Sequence, residues 1–289
     1  MAPPLSPRQP DLHPTKSSGK RGDSARTPED AQLHQRPACL ARRLTSRKDR
    51  RDAGRFLAEG APAVREALRS GAVIEVFATV DAMARNAELL AGVKVDEISP
   101  KDAAALSETV TPQGLVAVCR RLDVRLDEAF GRGPRLVAVL VEANDPGNAG
   151  AILRTADAAG ADAVVFAGGV DVYNGKAVRA SAGSLFHLDV VIDVLIDDVL
   201  AAARVAAIAT LATTGSGASD LDALADEEIL ARPTMWLFGN EAHGLPEHVL
   251  AVADRTVRVP IHGGAESLNL AAAAAVCLYA SARAHRAAR

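Results

Sequence analysis

Three short stretches of this chain concentrate the side chains that could do chemistry. They hold Asn144, Asn148 and Arg154; then Gly239, Asn240 and Glu241 with His243 close by; then His262, Ser267 and Asn269. Amides, one guanidinium, one carboxylate and one hydroxyl suit positioning and charge complementarity better than covalent catalysis. The sequence has no Gx4GK[ST] phosphate cradle and no GxSxG nucleophile elbow. Its histidines do not fall at metal-ligand spacing, and Cys39, Cys119 and Cys277 are too scattered for a CxxC site or a disulfide framework. Gly215-Ser216-Gly217 lacks the third glycine of a dinucleotide fingerprint, which argues against a nicotinamide oxidoreductase. Structural roles compete with chemical ones. Arg154 could pair with Asp157 one helical turn on, Asn148 could cap the helix that carries Arg154, and Ser267 and Asn269 could cap the last helix.

The elements that must position these residues are legible as alternating apolar runs and helical segments. Leu136 to Val141 reads as a strand, 142–150 as a bend, the segment to Gly160 as a helix and Ala163 to Phe166 as a second strand. So short a first connection implies parallel strands, with the bend at the carboxyl edge where open α/β sheets bind ligands. Further strands are expected at Leu188–Val191, Val205–Thr213, Thr234–Phe238 and Arg255–Ile261. Helices are expected at Asp171–Ser184, carrying Lys176 and Arg179, at Asp197–Arg204, and from Asn269 to about Arg286. If the strands are parallel neighbours, the loops 142–150, 239–245 and 262–269 converge on one edge.

A smaller α/β unit precedes this one. Its expected strands are Arg55–Gly60, Val73–Thr79, Val93–Ile98 and Leu115–Arg120, with helices at Ala61–Ser70, Asp81–Leu90 and Lys101–Ser107. The expected organisation is an amino-terminal arm (1–37), a small domain (44–121), a linker (122–134) and a larger domain (135–289). The arm is rich in Pro, Ser and Arg and has too few large apolar residues to offset its ordering entropy, so disorder is expected there.

Charge is unevenly distributed. Residues 1–55 hold thirteen Lys or Arg against six Asp or Glu, net +7, and the remaining 20 basic and 30 acidic residues give −10. A basic end on an acidic body points to a nucleic-acid partner, with Arg47, Arg51 and Arg55 as candidate contacts because their cluster runs directly into folded sequence. No stretch approaches the roughly 20 apolar residues of a membrane span, and the amino terminus lacks a signal peptide's apolar middle, so a cytoplasmic protein is expected.

Taken together, the three stretches resemble the motifs of the SpoU, or TrmH-like, family of RNA ribose 2′-O-methyltransferases. Asn148, Gly150, Arg154 and Thr155 match the first motif; Gly239, Asn240, Glu241, Gly244 and Leu245 the second; Pro260, Ser267, Leu268 and Asn269 the third. Arg55 to Gly60 and Val110 to Gly114 resemble the family's RNA-binding substrate domain, and Lys176, Arg179 and Ser181 its Lys-x-x-Arg-x-Ser segment. Spacing and composition would suggest an ordinary Rossmann-like sheet, since knots are rare. The resemblance implies instead an α/β fold whose carboxyl-terminal parallel sheet contains a trefoil knot, S-adenosylmethionine as cofactor, and a homodimer; no metal is expected from the histidine spacing.

It also implies catalytic roles for Arg154, Glu241, Asn148, Ser267 and Asn269, and cofactor contacts at Thr213, Gly239, Ile261 and Leu270. RNA contacts are implied at Lys176 and Arg179 in addition to Arg47, Arg51 and Arg55. The expected substrate is ribosomal RNA, 23S in particular. Transfer RNA, a resistance-conferring rRNA methylation, and a non-catalytic RNA-binding or ribosome-assembly factor are the alternatives.

Overall fold

The computed structural model describes residues 37–225 and 228–288. The amino-terminal arm thus lies outside the described residues, apart from its last residue. Two short helices, α1 (Pro37–Ala41) and α2 (Arg47–Ala53), lead into a four-stranded sheet of β1 (Arg55–Glu59), β2 (Val73–Ala78), β3 (Asp96–Glu97) and β4 (Leu115–Arg120), ordered β1-β4-β2-β3. Central β4 is antiparallel to both β1 and β2. Its run Leu-Val-Ala-Val-Cys is buried throughout, as a strand covered on both faces requires.

Around this sheet pack α3 (Ala61–Arg69), α4 (Val80–Arg85) and α5 (Pro100–Leu106). Thr79 and Ser99 cap α4 and α5 through their hydroxyls. The helix expected to reach Leu90 stops at Arg85, because the Asn86 side chain donates back to the Ala82 carbonyl and closes the turn. The strand expected over 93–98 contracts to Asp96–Glu97, an edge strand with β2 as its neighbour.

The second sheet has seven strands: β5 (Leu136–Val141), β6 (Ala163–Ala167), β7 (Asp189–Val191), β8 (Ala209–Thr213), β9 (Ser219–Asp220), β10 (Thr234–Phe238) and β11 (Arg255–Arg258). Their order is β7-β6-β5-β10-β8-β11-β9, and each adjacent pair is parallel. Seven helices accompany it: α6 (Leu126–Gly131), α7 (Pro146–Ala159), α8 (Gly175–Ser181), α9 (Ile196–Val205), α10 (Leu221–Ala225), α11 (Glu247–Val252) and α12 (Leu270–Ala287).

Alternation along β5 divides the core. Leu136, Ala138 and Leu140 join Trp236, Phe238 and the buried residues of α7 and α12 on one face, while Val137, Val139 and Val141 join Met235, Leu237, α9 and α11 on the other. The first of these clusters continues into the four-stranded sheet through Phe56, Ala58 and Ala117, with the Phe56 and Tyr173 rings 4.7 Å apart. The two sheets therefore share one apolar core.

Other expectations also need correction. Residues 122–134 are no bare linker, since α6 buries Ala129 and Phe130 with the second sheet and the Val124 N–H donates to the Val190 carbonyl. Strand β8 starts at Ala209 because 205–206 finish α9 and Ala207 turns the chain at φ 54°. The helix bearing Lys176 is shorter than expected, starting at Gly175 under an Asn174 cap. Helix α12 forms as expected, with Ala274, Cys277, Leu278, Ser281, Ala282 and His285 as its buried stripe. No helix among the described residues is long and apolar enough to cross a membrane.

Candidate active site

Because β5, β10, β8 and β11 are parallel neighbours, the loops that follow them meet at one edge of the sheet. The cap of α7 is Asp145 rather than Asn148: its Oδ1 accepts the Asn148 N–H at 2.8 Å. The Asn148 side chain is thereby left to work across the edge. Its Nδ2 donates to Glu241 Oε1 at 3.0 Å, and its Oδ1 accepts from Asn269 Nδ2 at 3.1 Å. One amide thus joins all three loops. The Asn144 N–H adds a contact to Glu241 Oε2 at 3.3 Å, and Asn240 Nδ2 donates to the Glu142 carbonyl at 2.8 Å.

Partial burial works to raise the Glu241 carboxyl. The hydrogen bond from Asn148 and those from the backbone N–H groups of Glu241, Asn144 and Asp145 outweigh it and hold the group below its ordinary value. Glu241 is accordingly a fixed anion around which the loops order. Asn269 caps α12, its Oδ1 accepting from Ala271 at 2.9 Å and Ala272 at 3.4 Å. Ser267 takes no part in that cap and is exposed.

Arg154 stands on the exposed side of α7, two turns into the helix, and has no hydrogen bond or ion pair among the described residues. The structural pairing with Asp157 is not formed. His187 Nδ1 instead lies 2.8 Å from Asp157 Oδ2. Arg154 is thus a cation on the helix whose opening turn is tied to Glu241.

A cavity of about 480 Å³ opens between the loops, in the size range of small-molecule sites. Thr213, Gly239, Ile261 and Leu270 all line it, as do Glu241, Ser267 and Asn269. Its wall combines apolar side chains (Val257, Val259, Ile261, Leu268) with Glu241 and Glu266, and among the described residues contains no Lys or Arg. Thr213 has its hydroxyl committed to the Leu237 carbonyl at 2.8 Å, so it offers the cavity its methyl and backbone. Gly239 is required by its own loop: a Cβ there would lie 2.2 Å from the Gly244 carbonyl carbon, where Asn240 and Gly244 exchange backbone hydrogen bonds. No cluster of metal-ligating side chains occurs among the described residues.

The basic residues divide by what they already hold. Lys176 Nζ donates to Asp145 Oδ2 at 2.7 Å, and that hydrogen bond is foremost in holding the Asp145 carboxyl below its ordinary value. Arg179 Nη1 donates to Glu59 Oε2 at 3.1 Å, reaching a carboxylate of the first sheet. Arg47 donates to the Gly169 carbonyl at 3.2 Å. Arg51 and Arg55 are exposed and have no side-chain partner among the described residues.

Sequence reasoning missed Arg50. This side chain is buried, donates to Asp171 Oδ2 at 2.6 Å through Nη2, and donates to the Leu44 and Thr45 carbonyls at 2.8 Å. Within a run of five cations in nine residues, nothing in spacing distinguishes the one that folds inward.

Comparison with known proteins now bears on this geometry. The model of the SpoU rRNA Methylase family matches residues 135–279, and that of the MRM3-like substrate binding domain matches residues 40–117. The chain is 35% identical over 242 residues to the 23S rRNA (guanosine(2553)-2′-O)-methyltransferase RlmP of Bacillus subtilis, a span covering 82% of this chain and 92% of that one. It is 33% identical over 282 residues to the 23S rRNA (uridine(2479)-2′-O)-methyltransferase of Streptomyces viridochromogenes, covering 93% and 96%. Among solved structures, it is similar to the AdoMet-bound rRNA methyltransferase of Sinorhizobium meliloti, with a TM-score of 0.75, 29% identity, and 87% and 95% of the two chains covered. It is likewise similar to the SpoU methyltransferase AviRb of Streptomyces viridochromogenes in complex with AdoMet, with a TM-score of 0.72, 32% identity and coverage of 87% and 98%.

Proposed function

Because the chain belongs to the SpoU rRNA methylase family, we propose that it transfers a methyl group from S-adenosylmethionine to one ribose 2′-hydroxyl of 23S ribosomal RNA. The observation that carries this reading is the Glu241–Asn148–Asn269 hydrogen-bond chain at the mouth of the cavity, beside the helix that presents Arg154, unpaired among the described residues. The cavity suits the cofactor in kind. Its walls offer apolar surface and close backbone approach, and its charges, Glu241 and Glu266, are of the sign that complements a sulfonium. When bound there, S-adenosylmethionine supplies the electrophilic methyl group.

The chain's own residues do the rest. Thr213, Gly239, Ile261 and Leu270 hold the cofactor. The part of Arg154 is to hold the phosphate beside the target ribose with its guanidinium and to stabilise negative charge as the 2′-hydroxyl gives up its proton to solvent water. Glu241 fixes Asn148 and the first loop, Asn269 fixes the third, and Ser267 meets the ribose. Arg47, Arg51, Arg55 and Lys176 provide phosphate contacts, which fix register without reading sequence.

Residues 44–121 serve as the substrate-binding module and 135–289 as the catalytic domain, with α6 of the former linker segment packed on the latter. Helix α12 lies within a trefoil knot. Its outward Ala272, Val276 and Tyr279, at i, i+4 and i+7, form an apolar stripe through which two copies pair. The cytoplasm is the compartment this reading assigns, supported by the ribosomal RNA named as substrate in its bacterial relatives.

Replacement of Arg154 tests the assignment. Arg154→Ala should lower methyl transfer at least a hundredfold while the affinity for S-adenosylmethionine, measured by calorimetry, stays within a factor of two or so. A large loss of cofactor affinity would remove Arg154 from the ribose side of the site.

A further inference from the structure

Glu59 is a carboxylate of the substrate-binding module, on the last residue of β1, and its side chain is only 6% exposed. Three donors surround it. Oε1 accepts from Ser107 Oγ at 2.6 Å and Thr109 Oγ1 at 3.3 Å, and Oε2 accepts from Arg179 Nη1 at 3.1 Å. The hydroxyls belong to the segment leading into the module's 110–114 turn, whose Val110 is fully exposed; the guanidinium belongs to α8. One buried anion therefore pins a surface loop of the module to a helix of the catalytic domain.

Helix α8 is in turn rigidly seated on the active site. It crosses α7 so closely that a Cβ on Gly150 would lie 2.4 Å from the Ala177 carbonyl oxygen. Its Lys176 holds Asp145, and Asp145 caps α7 at Asn148, which ties Glu241 to Asn269. Contact is thus continuous from Ser107 and Thr109 to the three catalytic loops.

A cation can turn from its protein partner to RNA where both partners are exposed, as Lys176 and Asp145 are. Arg179 is three-quarters buried and already holds a carboxylate that would be stranded without it. Phosphate binding would have to break that pair at the cost of an uncompensated buried charge.

From this arrangement we infer that Glu59 and Arg179 are positioning residues for the methyl transfer: their pair fixes the distance between RNA held on the module and the ribose presented to Arg154. The inference rests on the methyltransferase reading and assigns Arg179 to the protein frame instead of to RNA. The substrate it implies is a folded RNA that meets both parts of the enzyme at a set separation, so a misplacement on the scale of an ångström is enough to slow the reaction.

The test uses the full chain and two RNAs: intact 23S rRNA, and a short synthetic hairpin that contains the nucleotide the wild-type enzyme methylates. Wild-type enzyme should prefer the long RNA. Glu59→Gln and Arg179→Gln should each lower kcat/KM on the long RNA by about tenfold, leave the rate on the hairpin and the affinity for S-adenosylmethionine unchanged, and so level the preference. The double variant should be no worse than either single one, and Arg179→Lys, which keeps the charge, should recover part of the loss. Unchanged selectivity in the variants, or an equal fall on both RNAs, would overturn the proposal, the second outcome marking the pair as merely structural. Should either single variant fail to fold, the double variant carries the test, because it leaves neither charge of the pair without its partner. Absence of methylation by the wild-type enzyme on any RNA would count against the methyltransferase reading itself, a result distinct from these.

Discussion

At the scale of single residues, the three loops are tied together because one amide is released from a local duty. Had Asn148 capped α7, its side chain would have been spent on the helix. With Asp145 in that role, Asn148 reaches both Glu241 and Asn269. Glu241→Gln keeps the shape but swaps one acceptor for an amide that cannot accept from Asn148 and the Asn144 N–H together. It should cut methyl transfer by one to two orders of magnitude with little change in global stability, compared by activity assay and thermal melting. Glu241 is held below the ordinary carboxylate value, so its ionised state persists through neutral pH and any loss of its tie to Asn148 belongs to the acid side. A pH–rate profile whose alkaline limb vanished in Glu241→Gln would contradict that assignment.

At the scale of elements, two contacts decide how the active-site helix is aimed. Asp145→Ala removes the cap of α7 and the partner of Lys176 at once, and should cost about 1 kcal/mol for the cap, with the exposed ion pair adding little. Gly150→Ala puts a methyl against the Ala177 carbonyl and the Ala180 side chain, both within 2.5 Å of the new Cβ, so α7 and α8 must separate. Overpacking of that kind costs about 1–3 kcal/mol and should lower Tm and activity together, read by calorimetry and methyl transfer on the same preparation.

Most of these elements were legible. Strand β5 reads as a continuous apolar run, the Asp-Pro-Gly-Asn bend starts α7, and Asn269 stands at the head of an alanine-rich helix, so the converging loops could be placed from pattern alone. Three features were not legible, for physical reasons. Asp145 and Asn148 are both good capping residues, and only geometry chooses between them. In 122–134 the apolar Leu126, Ala129 and Phe130 are masked by charged neighbours and reveal a helix only once β7 and α9 are there to cover them. Arg50 and Arg179 look like their solvent-facing neighbours, because the carboxylates that claim them lie about 120 residues away along the chain.

At the scale of the whole molecule, the module and the catalytic domain are joined by an apolar core through Phe56 and Tyr173 and by a set of ionic contacts, Arg50 with Asp171, Arg179 with Glu59, and His187 with Glu66. His187 also meets Asp157, and Glu66 is shared with Arg69, so the titratable contact has an anion on each side and a cation beyond. The hydrogen bond to Asp157 leads the causes that raise the His187 imidazole above its ordinary value. A group raised on folding adds stability that is complete below its unfolded value and is lost as pH climbs through the folded one. Thermal melting followed from mild acid upward should therefore show wild type losing stability across that window relative to His187→Gln, whose curve should be flatter; parallel curves would mean that His187 contributes nothing to the joint. The joint holds Arg154, the cavity and the module in a single frame, which is the frame the proposed function requires for RNA. The most direct test of that account is to incubate the purified protein with tritiated S-adenosylmethionine and total cellular RNA, then to map any label by nuclease digestion. Label confined to one ribose 2′-oxygen of 23S rRNA is the predicted result; label on a base, or cofactor binding with no labelled RNA even when assembling ribosomal subunits are supplied, would contradict it.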